Sequence, residues 1–472
     1  MSQVISLGSP ASATAESRRW WVLGIVVAAQ FMFVMDAFIV NVALPTMARD
    51  LHAGASEIEA VIAAYLIAYA TLIITGGRLG DIHGTKLIFV LGIAGFTLAS
   101  LWCGFAQSGA ELIVARLAQG ATAALMVPQV LATIHVLFSD EARPKAFAIY
   151  GIVLGLGGAA GFLFGGVLVT LNILGLGWRS VFFVNVPFGV IIAAAAALTI
   201  PATPRRDGVR LDITGAAVLF VGLACMIGPL LFGRDFHWRL WVWEVMALGA
   251  AIVAGFVALE RVIAAKGGLP LIDLALLADR AFTRGLSATF LFFFANLSFY
   301  LVMTLFMQTG LGIVPVNAGL ALMPLALGFV VSSRQSAKRV VERGVRTLIE
   351  GCALQLAGLA GVVALVEFVA QPGLMLLMLP LAVFGYGQGF VMGPLSGVVL
   401  STVPKSSAGS GSGLYGTVTQ IANAVGVAVV GAVFFAFHDA GAVRVALLAA
   451  LATVAVALIG CGGCLVLRMR AT

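Results

Sequence analysis

Residues 20–44 read WWVLGIVVAAQFMFVMDAFIVNVAL, an almost wholly apolar run with a carboxylate, Asp36, in its interior and an amide, Asn41, a little further on. A helix that crosses a bilayer needs about 20 predominantly apolar residues, so the length of this run decides the medium in which it folds. The acid raises the functional question, because an ionised Asp at the centre of such a helix costs roughly 2.5–3.5 kcal/mol on insertion scales.

The rest of the 472-residue chain follows the same pattern. Hydrophobic residues make up 61% of it and charged residues 10%, and the mean hydropathy is +1.10; a water-facing surface cannot be assembled from that composition. Fourteen apolar runs, at about 20–44, 57–77, 87–106, 111–137, 146–170, 181–200, 212–232, 240–261, 286–309, 316–336, 347–367, 374–400, 409–436 and 444–467, are separated by short charged or Gly/Pro-bearing joints. They are too long and too uniformly apolar for the alternating strands of about ten residues in an outer-membrane barrel. An all-α membrane protein is expected. The first run lacks a small-residue cleavage site after a short apolar core and reads as a retained span, not a signal peptide.

Lys and Arg in the short loops set the orientation. With the N-terminus in the cytoplasm, the inner side receives the basic residues at 18–19, 78–86, 143–145, 205–210, 261–284, 334–346, 405 and 468–470, and the outer side only Arg49, Arg179, Arg234, Arg239 and Arg444. This bias predicts an even number of spans with both termini inside. It also accounts for the net charge of +7 without nucleic acid, as a topology signal and a contact with anionic lipid. Five cysteines, at 103, 225, 352, 461 and 464, lie in or beside apolar runs, so no disulfide framework is implied. The CxxC spacing of Cys461 and Cys464 reads as helix packing by small residues before it reads as redox chemistry.

The chain divides as six, two and six spans: residues 1–200, a linker with an inserted pair over 201–263, and 264–472, which opens on a loop. The joint after the second span, GGRLGDIHGTK (76–86), has a worn basic counterpart after the second span of the C-terminal six, AKRVVERGVR (337–346). Repeated halves of this kind belong to transporters whose substrate site lies between them near the midplane.

These residues also carry a resemblance. GGRLGDIHGTK resembles the loop signature of the major facilitator superfamily, LIVARLAQGATAALMVPQVLATI (112–134) the fourth-span motif of its proton-driven antiporters, and MDAFIVNVALPTM (35–47) and WRSVFFVNVPFGV (178–190) the first-span motif and sixth-span approach of the fourteen-span drug:proton antiporters. Two positions depart from that pattern. Phe162, in GFLFGG (161–166), stands where the fifth-span glycine motif has proline, and Ile82 stands where the loop signature has Arg. The resemblance implies a major facilitator fold of two six-helix halves plus two inserted helices.

Asp36 is the candidate proton-binding group: burial raises a carboxyl pKa and a nearby cation lowers it, so alternation between environments can drive uptake and release. The plainer reading is an Asp that hydrogen-bonds a neighbouring helix and never titrates. Asp36 lies about 8 residues, or roughly 12 Å, from the outer end of its span, and Arg116 about 5 residues, or 7–8 Å, from the outer start of the fourth. Similar depths make Arg116 the candidate partner, and the resemblance assigns it an influence on proton binding; the rival is an Arg that snorkels to the interface. Glu111, Glu350 and Glu367 fall near span ends and read as interface residues, which leaves the interior uncharged apart from Asp36 and Arg116. Asn41, Gln119, Gln129, Asn296, Gln388, Gln420 and Asn423 form a candidate neutral lining for a substrate cavity, although each taken singly reads first as glue between helices.

Gly77, Arg78, Asp81, Gly84 and Lys86 are expected to make the tight inner turn between the second and third spans. The resemblance makes that turn a latch for the outward-open state, while the basic residues alone would serve as a topology anchor. Gly151, Gly155, Gly161 and Gly165 in the fifth span have small-xxx-small spacing, which permits close helix approach. The aromatic stretch TFLFFFANLSFYLVMTLFMQ (289–308) reads mainly as lipid-facing, with two or three rings available to a cavity. The inserted spans carry no buried acid on these boundaries.

A P-loop and an HExxH zinc motif are both absent from the sequence, so ATP-driven pumping and metalloprotease activity lack their parts; a channel lacks a repeated filter loop or a ring of like charges. The expectation is a proton-coupled exporter of lipophilic, cationic molecules such as drugs or antibiotics, not an enzyme. It would work in the cytoplasmic membrane as a monomer, without cofactor or metal, on the proton gradient. A same-fold symporter or narrow metabolite exporter is the alternative.

Overall fold

A computed structural model describes residues 10–138, 142–201, 213–233, 235–266, 274–369, 373–403, 408–438 and 442–469. Among these residues every long element is a helix and no strand occurs, as lipid requires of backbone that must satisfy its own hydrogen bonds. The first half comprises α1 (Pro10–Asp50), α2 (Ala55–His83), α3 (Thr85–Phe105), α4 (Gly109–Leu137), α5 (Arg143–Leu171), the short α6 (Ser180–Phe183) and α7 (Asn185–Thr199). An inserted pair follows, α8 (Ile213–Phe232) and α9 (Leu240–Ala265). The second half comprises α10 (Arg280–Leu305), α11 (Pro315–Arg343), α12 (Arg346–Phe368), α13 (Leu374–Leu400), α14 (Ala408–His438) and α15 (Val443–Met469). Fourteen helices are long and apolar enough to cross a membrane, with α6 and α7 together forming the sixth.

Local chemistry sets the helix ends. Ser108 caps α4 by accepting from the Glu111 amide at 3.2 Å, which satisfies a donor the helix leaves open, and the Glu111 side chain accepts from the amide of Gln107, the residue before the cap, at 2.9 Å. Asp279 caps α10 at the Ala281 amide, 2.7 Å away. Between α6 and α7 the backbone stays helical, with Val184 at φ −59° and ψ −31°; Pro187 has no amide proton to offer the Phe183 carbonyl one turn back.

The two halves meet along two seams. The second helix of the first half packs on the fifth of the second, α2 on α14, and the fifth of the first packs on the second of the second, α5 on α11. The inserted α8 packs against α9 and against both α2 and α14.

Four expectations are corrected by these elements. The inner turn is narrower than its motif: α2 continues through Gly77, Arg78 and Asp81 to His83, α3 starts at Thr85, and Gly84 alone makes the turn at φ +92°. Two further acids are buried, Glu59 in α2 and Glu260 in α9. Glu260 escapes an end-of-span reading because α9 runs on to Ala265. The aromatic stretch is not lipid-facing: Phe292, Phe293, Phe299, Tyr300 and Phe306 are buried, because α10 is enclosed by α1, α13, α14 and α15. Of the inner basic residues, Arg205, Arg206, Arg210, Lys405 and Arg470 lie outside the described residues.

Candidate functional site

Asp36 sits on α1 with 0% of its surface exposed, and Arg116 on α4 with 1%. Arg116 Nη1 donates to Asp36 Oδ2 at 2.7 Å and to Gln119 Oε1 at 2.5 Å, while its Nε donates to the Val61 carbonyl of α2 at 3.2 Å. The Tyr65 ring closes one face of the guanidinium, 4.1 Å from centroid to Cζ, a cation–π contact that strengthens where water is excluded. Buried to this degree, Arg116 does not snorkel to an interface.

The other carboxylate oxygen is held by two amides. Gln119 Nε2 donates to Asp36 Oδ1 at 3.0 Å and Asn185 Nδ2 at 2.7 Å. Both amides also donate to Ser100 Oγ of α3, at 2.7 and 3.0 Å. Asn185 is the first residue of α7, two residues before Pro187. Five helices thus converge on one acid. Sequence reasoning missed Asn185, Ser100 and Tyr65; an Asn two residues before a proline in an apolar span was the available signal for the first, while the small hydroxyl and the ring gave none.

A charge in such a place is held by neighbours or not at all. Removing one partner of a buried pair typically costs 3–5 kcal/mol, whereas replacing both by apolar groups is often neutral. The arrangement is therefore poor value as a stability device.

The remaining candidate amides are dispersed. Asn41 donates to the Ala37 carbonyl of its own helix at 2.8 Å, and Gln129 to the Gly76 carbonyl of α2 at 2.8 Å. Asn296 accepts from Gln355 at 2.8 Å, Gln388 accepts from the Tyr300 hydroxyl at 2.7 Å, and Asn423 donates to Gln420 at 3.0 Å. Only Gln119 joins the acid. Around the inner turn, Asp81 is exposed and Lys86 half-buried.

The fifth-span glycines divide between two neighbours. A Cβ on Gly161 would stand 2.7 Å from Phe38 Cβ and 2.8 Å from the Met35 carbonyl, and one on Gly165 2.9 Å from the Ile39 carbonyl, so this face lies against α1. Gly155 faces Val330 and Phe329 of α11, while Gly151 has nothing within 4 Å and serves no contact.

Phe162, at the position of the missing proline, completes an aromatic cluster across the halves. Its ring, that of Phe38 on α1 and that of Tyr300 on α10 are pairwise 5.2 Å apart between centroids. Beyond the cluster, toward the C-terminal end of α1, Gln308 donates to the Val42 carbonyl at 2.8 Å and the Val316 amide to Thr170 Oγ1 at 3.1 Å. Gln308 lies in a π-helical turn, Phe306–Gly310, a distortion often found at functional positions.

Two helical halves joined along reciprocal seams are the architecture of a membrane transporter. The sequence pattern of the Major Facilitator Superfamily matches residues 26–427, and the chain belongs to that superfamily. It is 36% identical over 431 residues to the probable actinorhodin transporter of Streptomyces coelicolor, covering 91% of this chain and 74% of that one. It is 33% identical over 434 residues to the puromycin resistance protein pur8 of Streptomyces alboniger, covering 91% and 84%. Among solved structures, a bacterial homologue of the human lysosomal transporter Spinster, inward-facing and unoccupied, superposes with a TM-score of 0.68 at 17% identity over 98% of both chains, a likeness of fold. The protein is a multi-pass integral membrane transporter and not an enzyme.

Proposed function

We propose that the chain is a proton-coupled antiporter that exports lipophilic, antibiotic-like molecules across the cytoplasmic membrane, with both termini inside and the proton gradient as its only energy source. One observation carries this reading: the Asp36 carboxylate, fully buried, is held by Arg116 and Gln119 of α4 and by Asn185 of α7. The names of the relatives, an antibiotic transporter and an antibiotic resistance protein, support the substrate class. The Lys and Arg bias supports the orientation.

The cycle follows from the cage. Deprotonated, Asp36 holds α1 to α4 and α7 through charge-assisted hydrogen bonds, which are roughly twice as strong as neutral ones. A proton added to one carboxylate oxygen removes the ionic part of that attachment. Arg116 keeps Gln119, the Val61 carbonyl and the Tyr65 ring, so its charge remains satisfied while α1 is loosened. Because α1 also carries Phe38 and Val42, which touch α10 and its π-helical turn, the state of Asp36 is linked to the contact between halves. In this conformation those contacts are made toward the C-terminal end of α1, and Asp81, of the latch at the opposite end, is exposed. Closure on the outer side and the exposed Asp81 fit an inward-facing carrier.

The test uses purified protein in liposomes under an imposed pH gradient, following proton release from the lumen when a lipophilic cation is added. Wild type releases protons in a dose-dependent way and Asp36→Asn does not. Release by neither, across a panel of lipophilic drugs, overturns the antiport reading.

A further inference from the structure

We propose that the inserted pair α8–α9 is a lateral seal. It closes the α2–α14 seam against the bilayer, so that lipid-dissolved molecules exchange with the interior of the transporter only along the α5–α11 seam.

The two seams are equivalent by construction, since each joins the second helix of one half to the fifth of the other. Two such seams in a bare two-half transporter would meet lipid alike. Here they do not. Along α2 no residue from 55 to 80 is exposed, and along α14 none from 413 to 435. On the other side, α5 exposes Ile152, Leu156 and Phe164, and α11 exposes Leu320, Leu327 and Val331. The difference coincides with the one element the second seam lacks, because α8 packs on α2 and α14 together.

The sequence of α8 suits that position. Ala216, Leu219, Leu223, Ile227 and Leu231 are buried and recur at helical spacing, while Ala217 and Val221 are exposed. Behind it, α9 docks through small residues: a Cβ on Gly249 would stand 2.8 Å from the Gly222 carbonyl and from the Met226 amide nitrogen, and one on Gly222 2.8 Å from Val253. Close approach of this kind is how helices hold together where lipid removes the hydrophobic driving force. The outer helix meets the bilayer itself, with Trp241, Trp243 and Leu248 exposed. A pair anchored by packing and fitted over one seam closes that seam to molecules that partition into hydrocarbon.

The sealing claim stands on contacts and exposure; its consequence for substrates rests on the exporter reading. The experiment therefore measures access and not transport. A nitroxide label is attached to a cysteine at Ile73 of α2, which faces Gly416 of α14, or at Val330 of α11, which faces Gly155 of α5, in full-length protein whose five native cysteines are replaced by serine, in lipid nanodiscs. Collision with molecular oxygen, which concentrates in hydrocarbon, is read by power saturation. The label at 330 is expected to collide at least threefold more than the label at 73. Leu219→Ala with Leu223→Ala should raise the value at 73 and leave that at 330 unchanged. Equal collision at both positions in the otherwise unaltered chain, a comparison that needs no change in α8, overturns the seal, as does an α8 variant that folds and leaves 73 unaffected.

Discussion

Phe162 of α5 and Tyr300 of α10 meet across the two halves with ring centroids 5.2 Å apart, and Phe38 of α1 lies 5.2 Å from each. Phe38 is two residues from Asp36, so the aromatic contact between halves and the candidate proton site share a helix. Tyr300 is fixed in turn by its hydroxyl bond to Gln388 of α13. The residue that departs from the fifth-span motif is thus the one that fills the junction. A proline there would supply a kink; the phenyl ring supplies an apolar plug.

Truncating that ring should open a path before it changes anything else. Phe→Ala at a buried site costs about 3–5 kcal/mol in soluble cores, so Phe162→Ala lowers the unfolding temperature, and Phe162→Leu lowers it less. In liposomes without substrate, the Ala variant leaks protons faster than wild type, with Leu between them. A folded Ala variant with wild-type leak removes the plug from the argument.

Asp36 and Arg116 should behave as a unit. Asp36→Asn leaves a cation buried without its counter-charge, and the loss is on the order of 3–5 kcal/mol for a buried pair, moderated by the Gln119, Val61 and Tyr65 contacts. Combining it with Arg116→Gln removes the stranded charge. The double variant is then more heat-stable than Asp36→Asn alone while neither exchanges protons for substrate, measured by thermal unfolding of the detergent-solubilised protein beside the liposome assay. Additive losses of stability would mean that the two groups are not coupled.

Asn185 and Ser100 predict a ranking. Asn185 touches the carboxylate directly, and Ser100 touches only the two amides. A hydrogen bond to a charged group contributes about 1.5–3 kcal/mol, so Asn185→Ala slows exchange on the order of tenfold or more and Ser100→Ala by less. Initial rates at saturating substrate separate them, and the reverse order would contradict the cage.

The span count, the helical class and the Asp36–Arg116 pairing were legible because each rests on a strong local signal: apolar length, and charge where charge is expensive. Comparable depth on two spans was enough to nominate the ion pair. Asn185 was passed over because a lone amide in an apolar span reads first as glue between helices, and only the packing of α7 beside α1 and α3 places it at the carboxylate. The burial of Phe292 and Phe299 escaped for a related reason. An apolar helix in a membrane reads the same whether lipid or protein surrounds it, and only packing distinguishes them. Glu59 was missed because its place near the start of α2 resembles an interface position, yet α2 meets α14 there, with Gly431 directly against its carboxylate.

The glycine motif of α5 divides the same way, and the division can be measured. Spacing made Gly151 and Gly161 equivalent; the structure makes them opposites. At Gly161 an added Cβ would stand 2.7 Å from Phe38 Cβ and 2.8 Å from the Met35 carbonyl, a distance real Cβ atoms do not adopt, so Gly161→Ala must push α5 away from α1. That displacement moves Phe38, and with it both the aromatic junction and the helix that carries Asp36. At Gly151 an added Cβ meets nothing within 4 Å, and Ala is favoured over Gly in a helix by about 1 kcal/mol. Gly151→Ala should therefore unfold at or slightly above the wild-type temperature with unaltered exchange. Gly161→Ala should unfold several degrees lower and lose most of its exchange. Similar behaviour of the two variants would mean that α5 and α1 do not pack through this face.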